Sequence, residues 1–151
     1  MTRLFWASAL FAALILQSKI SILSVTPNLT AMFAYYAGIK HGQNRGMIYG
    51  MLIGALEDSV SAPLIGPNMI GKGVIGYLSS FFVSGGIFIW TPLLGMLAAS
   101  LLTIIDNSVV YTMLGIFDKI PASLSWTVLI SIMQAMLNSI AGIYIKPAHA
   151  D

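Results

Sequence analysis

Four charged residues in this sequence could do chemistry because they lie inside or beside apolar segments. Glu57 and Asp58 follow a glycine-spaced segment, Lys72 lies five residues after Pro67, and Asp106 interrupts a long apolar run. At 1.5 Å per residue, Lys72 lies ~8 Å into its helix and Asp106 ~28 Å along its own. We therefore expect all four to lie near the same face of a membrane. Charges at such depth usually pair with each other or carry protons or ions.

The predicted charge cluster has two interpretations. A proton or ion pathway usually continues across the bilayer, and the only further polar candidates are Gln17, Gln134 and Asn138. No relay can be drawn through these three residues, so structural pairing that fixes an acidic connector is favoured. The acidic pair opposes the dipole at the end of its helix, and a cation or the free amides of the next helix would stabilise it.

Glycine recurs at every fourth position of one segment, at Gly38, Gly42, Gly46, Gly50 and Gly54. Residues four apart lie near one face of a helix. In a membrane, a glycine stripe lets another helix backbone approach closely. The stripe proper, Gly46, Gly50 and Gly54, predicts either packing within the chain, which is the commoner use, or docking of a partner's helix.

The composition indicates that these residues belong to a membrane protein. Of 151 residues, 58% are apolar and only 8% are charged, with a mean hydropathy of +0.89 and a net charge of +2. Soluble domains average about 25% charged residues. A soluble globule, a disordered tail and a nucleic-acid binder are therefore excluded. Because there is no cysteine, disulfides, thiol catalysis and thiolate metal sites are excluded as well.

Apolar segments and their breaks predict an all-α bundle of about six transmembrane helices. A span needs about 20 apolar residues, so residues 1–151 form a single integral membrane domain with no room for a soluble one. The fifth segment is too long for one span and is expected to protrude or to bend near Asp106 and Asn107. The predicted helices cover about residues 4–25, 28–39, 46–56, 67–83, 87–117 and 123–145, with residues 57–66 as the acidic connector.

Basic residues near the predicted helix ends indicate an orientation, because they accumulate on the cytoplasmic side. One side of the predicted bundle has Lys19 and Lys119. The other side has twice as many: Arg3, Lys40, Arg45 and Lys146. We therefore predict a multi-pass protein with both termini in the cytoplasm.

No catalytic constellation is recognisable in the sequence. His41 and His149, the two histidines, lack the spacing of metal ligands, and no zinc-protease helix, phosphate loop or nucleophile elbow is present. We therefore predict no enzyme, no cofactor and no metal.

The segment from Pro27 to Phe82 resembles the MreD family, the rod shape-determining proteins of bacterial inner membranes. The resemblance lies in P-N-L, in Y-Y-A-G-I-K-H-G, and in G-M-I-Y-G-M-L-I-G-A-L-E-D-S-V-S-A-P-L-I-G-P-N-M-I-G-K-G-V-I-G-Y-L. Asn28 stands where the family often has an aspartate. The matching positions are Pro27, Gly46, Gly50, Gly54, Leu56, Asp58, Ser61, Gly66, Gly76 and Tyr77.

The resemblance implies a non-enzymatic scaffold of the complex that elongates the bacterial cell wall. By this analogy the protein binds the membrane helix of MreC, near the actin-like filament system, the peptidoglycan polymerase and the transpeptidase. The family fold is similar to the six-helix substrate-binding subunits of energy-coupling-factor transporters. The alternative is therefore a small-solute-binding subunit of a membrane transporter, which needs a polar enclosed pocket. A third possibility, an intramembrane enzyme, lacks an assembled acid, base and nucleophile.

Overall fold

The computed structural model describes residues 2–19, 25–61, 64–84, 90–120 and 122–147. Within these ranges the secondary structure is helical, as predicted, and α5 is a single turn that follows α4. The elements are α1 (Thr2–Lys19), α2 (Leu29–His41), α3 (Gln43–Ser61), α4 (Pro67–Ser79), α5 (Phe81–Ser84), α6 (Pro92–Ile116) and α7 (Leu124–Gly142).

Two of the described helices, α6 and α7, are long and apolar enough to cross a membrane. One face of α6 exposes Leu93, Leu97 and Leu101, spaced by one helical turn, as expected for contact with lipid. In contrast, α2 and α4 have 13 residues each, or ~20 Å of helix. This length is short of a ~30 Å hydrocarbon core, so the count of six spans stays a prediction.

Several predicted boundaries are wrong. Helix α3 covers residues 43–61 rather than 46–56, so Glu57 and Asp58 lie in its last turns instead of in a connector. Helix α4 ends at Ser79 rather than continuing to residue 83. Helix α6 begins at Pro92 rather than at residue 87. It runs without interruption through Asp106 and Asn107, and its protrusion or bending stays a prediction. The polar side chains of α3 and α6 named above have hydrogen-bond partners within the bundle, which are described below. This pairing explains why the two helices continue through them.

Parts of other predicted boundaries lie outside the described residues. Helix α1 is described as far as Lys19, and the predicted continuation through residues 20–24 lies outside the described residues. The same holds for residues 62–63 of the predicted connector and for residues 85–86 of the predicted break after α4.

Among the described helices, α3 and α4 pack most closely against each other, and glycines make this close packing possible. A Cβ atom added to Gly50 would collide with the carbonyl of Lys72, and one added to Gly54 would collide with the carbonyl of Asn68. One added to Gly46 would lie 2.5 Å from a backbone oxygen of α4. The stripe proper therefore packs against α4 of the same chain, which is the first of its two interpretations.

A second pair of glycines brings α6 and α7 together. A Cβ on Gly95 would collide with the carbonyl of Gly142, and the reverse holds for a Cβ on Gly142. Between the two helix pairs lies an apolar core that α2, α4 and α6 supply. It consists of Ala31, Met32, Ala34, Tyr35, Ile39, Ile75, Ala98, Ala99 and Leu102.

The segment before α2 is not helical, yet it lies against α7 inside the bundle. Side-chain amides of α7 donate to its carbonyls: Gln134 Nε2 to Thr26 O at 2.7 Å, and Asn138 Nδ2 to Asn28 O at 3.2 Å. The Asn28 side chain also caps α2, because its Oδ1 accepts from the Ala31 backbone at 3.0 Å. Non-helical backbone at membrane depth is tolerated only with such internal partners.

We expect Gly50→Ala to destabilise the protein, because its Cβ would collide with a backbone carbonyl of α4, which cannot move away as a flexible side chain can. Over-packing of this kind costs roughly 1–3 kcal/mol. Gly115→Ala is the matched control, since its Cβ would come no nearer than 3.5 Å to the flexible Ile120 side chain. Thermal unfolding of the detergent-purified variants measures the difference. Equal unfolding temperatures for Gly50→Ala and wild type would contradict the close contact between α3 and α4.

Candidate functional site

A buried ammonium group connects three helices. Lys72 Nζ, on α4, lies 2.9 Å from Glu57 Oε2 on α3, 3.0 Å from Asp106 Oδ2 on α6, and 2.9 Å from Asn68 Oδ1 one turn earlier in α4. The side chains of Lys72, Glu57 and Asp106 are only 1%, 8% and 0% exposed. We call Glu57, Lys72 and Asp106 the ion triad. All three protons of the lysine have an acceptor.

Neutral side chains complete the coordination of the two acidic members. Glu57 accepts from Gln17 Nε2 on α1 at 2.9 Å and from Thr30 Oγ1 on α2 at 2.7 Å. Asp106 Oδ2 accepts from Asn28 Nδ2 at 2.7 Å. An asparagine can donate this hydrogen bond, whereas an ionised aspartate at the same position could not. The ion triad is therefore anchored to α1 and α2 as well.

Asp58, the fourth member of the predicted cluster, has a different role. Its carboxylate accepts from the backbone amides of Gly66 at 2.8 Å, Asn68 at 3.2 Å and Met69 at 3.1 Å. These amides are the free donors at the start of α4, where a negative charge is favourable. Asn68 links Asp58 to the ion triad, because its Nδ2 donates to Asp58 at 2.8 Å while its Oδ1 accepts from Lys72.

Uncharged polar residues extend the network to α7. Asn138 Nδ2 donates to Thr103 Oγ1 at 3.0 Å, and Asn107 Nδ2 donates to Gln134 Oε1 at 2.8 Å. The sequence singled out Gln17, Gln134 and Asn138 only as candidates for a relay that could not be drawn, and all three belong to this network. It also missed Asn28, Thr30, Asn68 and Thr103. The available signal was the presence of amide and hydroxyl side chains within an otherwise apolar chain, where an unpaired polar group is costly.

The remaining positions of the family pattern lie around the same helices. Pro27 precedes the first turn of α2, and Gly66, with φ +141°, precedes the first turn of α4. Gly76 packs against the α3 backbone, and the ring of Tyr77 lies half-exposed on the outer side of α4. Ser61 is the last residue of α3, and its side chain is not among the described ones.

Shallow grooves lie on the surface of the described residues, two of them along pairs of helices. The larger, of about 330 Å³, follows the outer side of the α3–α4 contact and is apolar. It is lined by Met47, Met51, Ile70, Gly73, Val74, Tyr77 and Leu78. The smaller, of about 220 Å³, lies between α6 and α7, and its polar lining residues include Asn107, Tyr111, Thr127, Ser131 and Gln134. Within the described residues, no group of three metal-ligating side chains could hold a metal ion.

Residues 1–147 match the family described as rod shape-determining protein MreD. The resemblance first seen in one third of the sequence is thereby confirmed over nearly the whole chain. No curated protein and no solved structure matches the chain, so the similarity to transporter subunits stays a prediction.

We expect Lys72→Met to be strongly destabilising, because it leaves buried carboxyl groups without their cation. Breaking a buried ion pair costs roughly 3–5 kcal/mol. Adding Glu57→Gln should recover part of this loss, since the double variant removes one charge of each sign. Lys119→Met, in the exposed turn after α6, is the control. Denaturant unfolding measures all three variants, and a Lys72→Met protein as stable as Lys119→Met would disprove the structural role of the ion triad.

Proposed function

Since the chain belongs to the MreD family of rod shape-determining proteins, we propose that it is a non-enzymatic membrane scaffold of the cell-wall elongation complex. In this proposal it holds the membrane helix of MreC by helix packing. The actin-like filament system, the peptidoglycan polymerase and the transpeptidase are its neighbours in the assembled complex. The apolar groove along α3 and α4 is the observation that carries the proposal.

The groove suits an apolar helix better than a polar solute. Gly73 lies in its floor, where a Cβ would approach the side chain of Met51 at 2.7 Å. Met47 and Met51 border it on α3, while Val74 and Tyr77 border it on α4. Methionine side chains adapt to the shape of a partner, and helices in lipid associate through close van der Waals packing around small residues.

The glycine stripe does not line this groove. It holds the backbones of α3 and α4 close together on the inner side of the pair. Gly46, Gly50 and Gly54 are covered by α4, so a partner could reach them only if α3 and α4 separated. The charged residues Glu57, Asp58, Lys72 and Asp106 are assigned a structural role in this proposal: they fix α4 relative to α3 and α6. The result is a groove on a fixed backbone, with adaptable side chains, that a partner helix can occupy without reorganising the bundle.

We further propose that the protein crosses the bacterial inner membrane six times, with both termini in the cytoplasm. The short helix α2 is supplemented by residues 25–28, where the carbonyls of Thr26 and Asn28 accept from α7. The turn α5 similarly extends α4. At the hairpin between α2 and α3, Lys40 and Arg45 are exposed, as expected on the cytoplasmic side. A single integral membrane domain accounts for all the described helices.

The alternative function, capture of a small solute, would use the groove between α6 and α7. This groove has amide and hydroxyl groups that could bind a polar solute. Its volume of about 220 Å³ lies below the roughly 300–1,000 Å³ of small-molecule sites. A saturable thermal shift with a vitamin would favour this alternative over the scaffold.

We expect Val74→Trp to weaken the association with MreC by at least about tenfold, which corresponds to about 1.4 kcal/mol. The indole would fill the groove that the partner helix occupies. Leu129→Trp, on the exposed side of α7, adds the same ring to an apolar surface elsewhere and should leave binding unchanged. Both variants are co-expressed with MreC, and the amount that co-purifies is measured from membranes.

Thermal unfolding of each purified variant is the control for folding. Full co-purification of MreC with a folded Val74→Trp protein would exclude the α3–α4 groove as the binding surface. Loss of binding in Leu129→Trp alone would place the partner on α7 instead.

A further inference from the structure

We propose that Asp106 binds a single proton on Oδ1, so that the buried ion triad carries no net charge. This site is a feature of the chain itself and does not depend on the proposed partner. It follows from the hydrogen bonds of the three side chains, from their charges, and from the packing around the free oxygen.

The hydrogen bonds fix the charge of the lysine first. Lys72 Nζ has three acceptors, at Glu57 Oε2, Asp106 Oδ2 and Asn68 Oδ1, at 2.9–3.0 Å. Only an ammonium group can donate three hydrogen bonds. Lys72 is therefore positively charged and is balanced by one carboxylate.

The two acidic side chains differ in how well their oxygens are satisfied. Both oxygens of Glu57 have donors: Gln17 on one, and Thr30 and Lys72 on the other. Asp106 Oδ2 accepts from Asn28 and Lys72, but Oδ1 is buried and has no hydrogen-bond partner in the described part of the chain. Both oxygens of an ionised carboxylate are acceptors only, and a buried charge without donors is costly, so the environment suits an anion at Glu57 and a neutral acid at Asp106.

The charge balance requires the same assignment. If both carboxyl groups were ionised, the ion triad would carry one excess negative charge in a fully buried position, which is very costly. The groups that face Asp106 from neighbouring helices are Lys72 and Glu57, together with the uncharged amide of Asn28. The carboxylate of Asp58 is bonded to the backbone amides that begin α4, so its charge is not balanced by Lys72 and Lys72 remains the cation for the ion triad.

The packing leaves room for a proton and not for a metal cation. Asp106 Oδ1 lies so close to Gly71 that a Cβ there would collide with it, and the same Cβ would lie 3.1 Å from Val110 Cγ2. A cation would need several oxygen ligands around it, whereas Oδ1 is packed against Gly71 and has no hydrogen-bond partner in the described part of the chain. A proton needs no such ligands, and an unpaired neutral oxygen costs less in a buried position than an unpaired charge.

Infrared spectroscopy of the full-length protein in lipid nanodiscs at neutral pH tests the proposal. A buried protonated carboxyl group gives a C=O stretching band well separated from ionised carboxylates. We expect one such group per chain. Its band should move to lower frequency when aspartate carries a heavy carbon isotope in its side-chain carboxyl, because the proton is on an aspartate and not on Glu57.

Variants then identify the residue. Asp106→Asn should remove the band, and so should Glu57→Gln, because Asp106 must then ionise to balance Lys72. Asp118→Asn is the matched control: Asp118 lies exposed in the turn after α6 with φ +52°, a conformation that asparagine adopts readily. This variant should keep the full band.

Three results would overturn the proposal. The first is the absence of a protonated carboxyl band in the wild-type protein. The second is a band that does not move with labelled aspartate, and the third is a band that persists in Asp106→Asn or Glu57→Gln. Because the labelling experiment uses the wild-type chain, it gives a decision even if a variant fails to fold.

Discussion

The position of one ammonium group constrains the whole bundle. Lys72 is 1% exposed, and its burial is tolerable only while all three of its acceptors stay in place. Those acceptors lie on α3, α4 and α6, so these helices cannot slide past one another without losing an ionic hydrogen bond. The backbone of the same residue touches Gly50 of α3. A shift in register between α3 and α4 would therefore break the ion pair and the glycine contact together.

The polar network supplies buried polar groups with the hydrogen-bond partners that water would otherwise supply. Asn28 shows this most clearly: it caps α2, donates to Asp106, and offers its own carbonyl to Asn138. Two of these contacts connect the non-helical segment to α6 and α7, and the third begins α2. Helix α2 can therefore begin inside the bundle without leaving these buried polar groups unpaired.

The helical class and the pairing of Lys72 with an acidic residue were both predictable, because they follow from composition and from the cost of a buried charge. The boundaries were less predictable. Hydropathy treats Glu57 and Asp106 as signs of a helix end or bend, yet both lie inside continuous helices, since their partners come from distant parts of the chain. The hydrogen-bond partners of amide side chains such as those of Gln17 and Asn138 lie far away in the sequence. They depend on the tertiary structure, which the local sequence does not encode. The same is true of the Gly95–Gly142 contact, which joins residues far apart in sequence.

The two sides of the α3–α4 pair have opposite physical properties, and this difference bears on how a scaffold can act. The inner side is held by ionic hydrogen bonds and by backbone contacts through Gly50 and Gly54, none of which can change without a large cost. The outer side consists of methionine, valine and tyrosine side chains around Gly73, which can repack when a helix approaches. In the proposed complex, a partner helix on the outer side would leave the ion triad undisturbed. Such a scaffold would hold its partner at a fixed position, because only side chains at the surface would repack.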